Sequence, residues 1–357
     1  MAGGAGDAET ARVEGAIVAL GTQTFGSAPT RLEWIDAGLG LRGFARLRLS
    51  GAPGTVIARV EAPEDLAGRP TGAPAEPPLE PIRAHLERGG LPVPKCWARN
   101  AALGIALLED VGTVCLNDTA VQIDAKLRRA RYAEACDLVP RLQSLPADPA
   151  VEAYARHLDD ALFAYKADLF ATYSLAVRSR ETTPAEREAV RDAFTHVAET
   201  SSDAPDRLAH RDFQSANLHV VPGRAGGEVV MIDLQGAFLA PPEYDLVCLL
   251  RDSYAELEQD EIDAHLARVR PKLPDAPDPE TFARRFDLLT LTRKGKDHAR
   301  FVYAARERGD TRFLRFIPAT VRALRGAAAR AAAREPAMTP LAELIAELPE
   351  TPDEPSA

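Results

Sequence analysis

Residues 38–43 read GLGLRG, a G-x-G-x-x-G string made by Gly38, Gly40 and Gly43, and the string sits between two strand-like runs. Before it, RLEWID reads as a strand. After it, in FARLRLS, Ala45, Leu47 and Leu49 share one face and Phe44, Arg46 and Arg48 the other, a period of two. SGAPGT then punctuates the chain and TVIARVE follows as a further strand. No room is left for the helix whose N-terminus holds the pyrophosphate in a dinucleotide-binding turn. The string therefore predicts a hairpin, either one that covers nucleotide phosphates or an ordinary flexible turn. With 24 Gly in 357 residues, a chance match is expected roughly one time in ten, so residues elsewhere must decide.

Along the chain, residues 1–7 read as disordered, ETARVEGAIVALG as a short helix, and 30–36, 43–50 and 55–61 as strands. EAPEDLAGRPTGAPAEPP is a Pro- and Gly-rich loop, and LEPIRAHLERGG a helix stopped by Gly89 and Gly90. CWARN and ALGIALLED give two more strands, with a joint at LLEDVGT. From about residue 118 helical patterns take over, interrupted by a strand-rich segment at 206–240 and resuming with EYDLVCLLRDSYAELE. The tail PETPDEPSA, 349–357, is acidic, proline-rich and expected to be disordered.

A net charge of −10 argues against a general nucleic-acid binder and is compatible with a Mg²⁺-dependent nucleotide enzyme and with cationic substrates. Cys96, Cys115, Cys136 and Cys248 form no C-x-x-C pair, which suits reduced, packed cysteines in the cytoplasm. The N-terminus lacks the basic start and apolar core of a signal peptide, and no run of about eighteen apolar residues predicts a membrane span.

The informative segment is LAHRDFQSANLHVV, which contains His210, Arg211, Asp212 and Asn217 as H-R-D-x-x-x-x-N, the catalytic-loop spelling of protein kinases. Sixteen residues after Asn217, the apolar run VVMID ends in Asp233. Phosphoryl transfer needs an aligned acceptor oxygen and neutralised phosphate charge, with little covalent help. Asp212 can take the acceptor hydroxyl's proton or hydrogen bond. Asn217 offers a neutral oxygen and Asp233 an anionic one, both suited to Mg²⁺. His210 is expected to hold the loop rather than react. Asp245, in EYDLVCLL, reads as structural support for the same loop or as a helix cap.

HRDFQSANL followed by MIDLQGAFLAPPEYDLVCLLRDSY resembles the aminoglycoside phosphotransferase superfamily, and most closely its cell-wall-recycling anomeric sugar kinases that act on N-acetylmuramate and N-acetylglucosamine. The resemblance runs along most of the chain. DAGLGLRGFARL resembles the family's loop, with Arg42, Phe44 and Arg46 on matching positions, and ALLEDVG its hinge. It implies an α+β, bilobal, protein-kinase-like fold: a small β-rich N-lobe (1–109), a larger α-helical C-lobe (110–348) and the tail. It further implies an ATP- and Mg²⁺-dependent phosphotransferase acting on the anomeric hydroxyl of an amino sugar, cytoplasmic and monomeric. Asp212 would be the base, and Asn217 and Asp233 the metal ligands. Gly38, Gly40, Arg42 and Gly43 would cover the phosphates, and the backbone around Leu108 to Val111, Glu109 included, would meet adenine. Arg59 stands where kinases place a lysine, and either pairs with phosphates or is an exposed strand residue; Glu80 is its candidate ion-pair partner. Gly40, Leu234, Ala240, Asp168 and Tyr173 depart from the family pattern, the last two on the acceptor side. An aminoglycoside or another small alcohol remains an alternative acceptor, and a catalytically silent nucleotide-binding protein an alternative role.

Overall fold

The computed structural model describes residues 3–35, 42–61, 77–178, 180–225 and 227–351. Gly38, Gly40, most of the proline-rich loop and the tail beyond residue 351 lie outside the described residues. The chain divides into two compact units, Met1–Glu76 with Val93–Thr113, and Pro77–Pro92 with Val114–Ala357.

The first unit holds helix α1 (Gly3–Phe25) and strands β1 (Arg31–Ile35), β2 (Gly43–Arg48) and β3 (Thr55–Val60). The helix is longer than the sequence suggests. It begins at Gly3, inside the stretch expected to be disordered, and runs to Phe25, and Gly21 leaves the space that Pro29 fills. Strands β4 (Cys96–Asn100) and β5 (Ile105–Glu109) complete one antiparallel sheet in the order β1-β2-β3-β5-β4. The period of two in β2 becomes its burial pattern. Ala45 and Leu47 are fully buried with Val56, Ala58 and Leu107, and Ile17 of α1 packs among them. Apolar burial of this kind, about 25 cal/mol per Å², is what holds the helix on the sheet.

The second unit begins with α2 (Leu79–Arg88), ended by Gly90 at φ 73°. There follow α3 (Thr119–Gln122), α4 (Ala125–Gln143), α5 (Asp160–Leu169) and α6 (Pro184–Ser202). Asp118, Asp124 and Asp159 cap the first three of these, and a Thr183–Glu186 capping box with Pro184 starts α6. The strand-rich interruption becomes two short antiparallel pairs. β6 (Arg207–Ala209) lies with β9 (Phe238–Ala240), and β7 (Leu218–Val220) with β8 (Val229–Met231). Helices α7 (Tyr244–Leu250), α8 (Gln259–Val269), α9 (Pro279–Arg308), α10 (Ile317–Arg334) and α11 (Thr339–Ala346) finish the chain. Helix α9 packs against α5, α6, α7 and α10. The helix expected over 243–258 stops at Leu250. Asp252 leaves the helical path, and its carboxylate accepts from the Tyr254 N–H (3.1 Å) and from Ser215 of the segment after β6.

No helix among the described residues is long and apolar enough to cross a membrane.

Candidate active site

Asp212, Asn217 and Asp233 come together in the second unit through backbone wiring. The Asn217 side-chain amide donates to the Asp212 carbonyl at 2.9 Å, and the Ile232 N–H donates to the Asn217 carbonyl at 3.0 Å. The β7–β8 ladder, with Leu218 opposite Met231, fixes the register between them. His210 spans the same gap: its Nε2 donates to the Ile232 carbonyl at 2.8 Å, and the ring is 2% exposed. This is the structural role its sequence position suggests.

The loop is strained and clamped. Arg211 has φ 78° and Asp233 φ 62°, conformations that non-glycine residues hold only when their surroundings impose them. Asp245, 1% exposed, supplies the clamp at Arg211. One carboxylate oxygen accepts from the His210 N–H (2.7 Å) and the other from the Arg211 N–H (3.1 Å). Burial pushes the Asp245 carboxyl up to about 6, against the pull of His210 and of those two backbone donors. Asp252 does the same at the loop's far end, taking the Ser215 N–H at 2.7 Å and its hydroxyl. Asp252 and its role were not singled out in the sequence; the pattern Y-D-L-x-x-L-L-x-D carried both clamps seven residues apart, one inside α7 and one just beyond its end.

The Asp212 side chain is a third exposed, and its Oδ1 accepts from Arg293 Nη2 of α9 at 3.2 Å. Arg293 is 1% exposed and also donates to Cys248 Sγ (3.2 Å) and to Asp297. Burial opposes ionisation of Asp212, and the surrounding cations Lys296, Arg293 and Arg211, with His210, overcome it. Its carboxyl is held well below the usual range. Asp212 is therefore a carboxylate at any working pH, a fixed acceptor rather than a group that switches.

Asn217 and Asp233 meet a simple test as hard oxygen donors. The hydrogen bond from the Asn217 amide nitrogen turns its oxygen away from the Asp212 carbonyl, and Asp233 is exposed, with Oδ1 accepting from Gln235 Nε2 at 2.6 Å. No three His, Cys, Asp or Glu side chains gather as a metal cage among the described residues. Two protein oxygens completed by phosphate suit Mg²⁺ better than such a cage.

The nucleotide-side candidates lie in the first unit. Arg42 pairs with Glu61 at 3.6 Å. A Cβ on Gly43 would come within 2.9 Å of the Trp34 ring. Arg59 is not an exposed strand residue: it is 5% exposed, its Nη1 binds Glu61, and its Nη2 is buried without a hydrogen-bond partner among the described residues. Such an orphaned guanidinium donor suits an incoming anion. Glu80 gives both carboxylate oxygens to Arg83 at 2.9 Å. The Glu109 side chain accepts from the Lys95 N–H at 3.0 Å, and its own N–H donates to the Lys95 carbonyl at 2.8 Å.

These two units, a five-stranded antiparallel sheet with one helix and a helical unit carrying the loop, are those of a bilobal protein-kinase-like phosphotransferase. The model of the APH family, described as the phosphotransferase enzyme family, matches residues 41–283, and the chain belongs to that family. N-acetylmuramate/N-acetylglucosamine kinases of Pseudomonas putida and Pseudomonas aeruginosa are 28% and 27% identical to it. Each match covers 77% of this chain, and 80% and 81% of the respective relatives. Among solved structures, the choline kinase LicA from Streptococcus pneumoniae superposes with a TM-score of 0.62 at 14% identity, covering 89% of this chain and 99% of its own. An ADP-bound aminoglycoside phosphotransferase, APH(2'')-Ib, gives 0.52 at 13%, covering 85% and 94%. The chain is an enzyme, a small-molecule phosphotransferase.

Proposed function

We propose that the enzyme transfers the γ-phosphoryl group of ATP, with Mg²⁺, to the anomeric hydroxyl of an amino sugar of the N-acetylmuramate/N-acetylglucosamine type. The observation that carries this reading is the Asp212–Asn217–Asp233 constellation, in a chain similar over 77% of its length to kinases of those two sugars. Asp212 accepts the hydrogen bond of the attacking hydroxyl and takes its proton as the bond to phosphorus forms. Arg293 holds one oxygen of that carboxylate, which fixes the direction of the other. Asn217 and Asp233 hold the metal, which, when bound, neutralises phosphate charge. Arg59, Arg42 and the hairpin glycines Gly38, Gly40 and Gly43 serve the phosphates, and the backbone at Glu109 the adenine. The enzyme works in the cytoplasm, where ATP is supplied, as a monomer.

The test is ADP release with Mg²⁺-ATP across free amino sugars and aminoglycosides, with Asp212→Asn as the control. Turnover of N-acetylmuramate or N-acetylglucosamine, lost in the variant and yielding an alkali-resistant, acid-labile anomeric phosphate, is the expected result. Turnover of aminoglycosides alone sinks the sugar assignment and keeps the phosphotransferase.

A further inference from the structure

Helix α5 buries Lys166, 4% exposed, and its Nζ has no hydrogen-bond partner among the described residues. The ammonium lies over the rings of Phe163 (5.0 Å) and Tyr244 (5.5 Å). Its electrostatic neighbours include Lys296, Arg293 and Arg211, all of the same sign. Three of these cations, Arg211, Arg293 and Lys296, also act on Asp212. The anions do not balance them. Asp297 is shared by Arg293, Lys294 and Lys296, Asp212 is held by Arg293, and both oxygens of Asp245 are taken by loop N–H groups. Arg300 adds to the field at Lys296. A buried, unpaired ammonium among like charges is costly, and burial with those neighbours lowers Lys166 to about 7 and Lys296 to about 8. Such a cluster belongs where an anion arrives.

We propose that the α5–α9 side of Asp212 is an oxyanion subsite. The acceptor bears a carboxylate or phosphate beside its reacting hydroxyl, and Lys166, with Lys296, takes that group. Lys166 is then a specificity residue that binds substrate. The inference rests on the reading of Asp212 as the acceptor's base, and it turns the site against polycations. An aminoglycoside or a quaternary ammonium alcohol would add positive charge to an already positive surround.

The experiment compares acceptors paired by charge: N-acetylmuramate against its methyl ester, and glucuronate against glucose. N-acetylglucosamine, N-acetylglucosamine 6-phosphate and kanamycin complete the panel. Binding is measured by calorimetry on the full chain loaded with Mg²⁺ and a non-hydrolysable ATP analogue, and kcat/KM with Mg²⁺-ATP, for the wild type, Lys166→Met and Lys296→Met. Expected is a preference of about tenfold or more for the anionic member of a pair, carried by KM. Lys166→Met should erase the gap by raising KM for the anionic member of each pair, and Lys296→Met should narrow it. Preference for the 6-phosphate over the carboxylates assigns the subsite to phosphate, and the reverse to carboxylate. Equal binding of acid and ester, no binding of any acid, or an equal loss on every acceptor in Lys166→Met overturns the proposal. Indifferent turnover of N-acetylglucosamine and N-acetylmuramate would keep the amino-sugar reading and sink this one. Acid preference confined to glucuronate would do the opposite.

Discussion

The loop at residues 210–217 and the middle of α9 both meet at Asp212, and they are made in different ways. The loop satisfies its polar atoms almost wholly from nearby backbone and two buried carboxylates, Asp245 and Asp252. Its residues can be replaced one at a time with a defined loss. The α9 segment is a charge cluster in which Arg293, Lys294 and Lys296 share Asp297, and Lys166 of α5 has no counter-ion among the described residues. The first is a frame built to hold still. The second carries more positive than negative charge around Asp212, and on the proposal above an anionic substrate balances it.

Replacing Asp212 puts the largest load on this contrast. Asp212→Asn keeps the shape, and removal of a general base is expected to lower kcat by about 10²–10⁴-fold. Single-turnover kinetics with saturating ATP checks it. A loss below about tenfold would mean that positioning alone carries the rate, and that Asp212 belongs to the frame.

Lys166→Met comes next, and its sign is opposite to most core substitutions. Lys166 titrates near 10.5 when exposed and at about 7 in the fold. Between those values the unfolded chain binds more protons than the folded one, so wild-type stability rises with pH across that window. Below it, the buried charge is a standing penalty. The methionine variant should therefore be more stable than wild type by about 2–4 kcal/mol near pH 7, with the difference shrinking toward zero as pH approaches 10. Denaturant unfolding at several pH values reads this directly. A variant less stable than wild type at pH 7 would show that the ammonium is paired, and the two regions would no longer differ.

Much of the frame was legible in the sequence because it depends on local spelling. H-R-D-x-x-x-x-N and the aspartate ending VVMID name their residues, and period-two burial in FARLRLS names the sheet face. The positively charged cluster was not legible. Lys166 and Arg293 are 127 positions apart, and TRKGKDHAR reads as a solvated stretch of helix until packing against α5 and α7 buries its middle. The helix end at Leu250 was hidden for the same reason: Asp252 is diverted by a partner 37 residues earlier, and no helix propensity records that.

Asp245→Asn tests the frame at its tightest point. An amide can match only one of the two N–H donors at residues 210 and 211 and turns a donor toward the other. The cost is that of a buried unsatisfied group, about 1–3 kcal/mol. With Arg211 already at φ 78°, relaxation of the loop should lower kcat while leaving KM for ATP little changed. Melting and steady-state kinetics together decide it. Unchanged kcat with reduced stability would make Asp245 a fold residue only.

Gly43→Ala has the smallest expected effect and separates space from function in the hairpin. Its Cβ would stand 2.9 Å from Trp34 Cζ3, on a ring 42% exposed whose Nε1 donates to Glu14 at 2.7 Å. The ring can swing outward, giving up that exposed hydrogen bond, so the loss should stay below about 1 kcal/mol, a few degrees of Tm at most. If Tm falls this little and KM for ATP is unmoved, Gly43 is kept for Trp34. If Tm holds and KM for ATP rises about tenfold, the glycine is kept for the approach of phosphate, and the hairpin joins the loop as part of the catalytic frame.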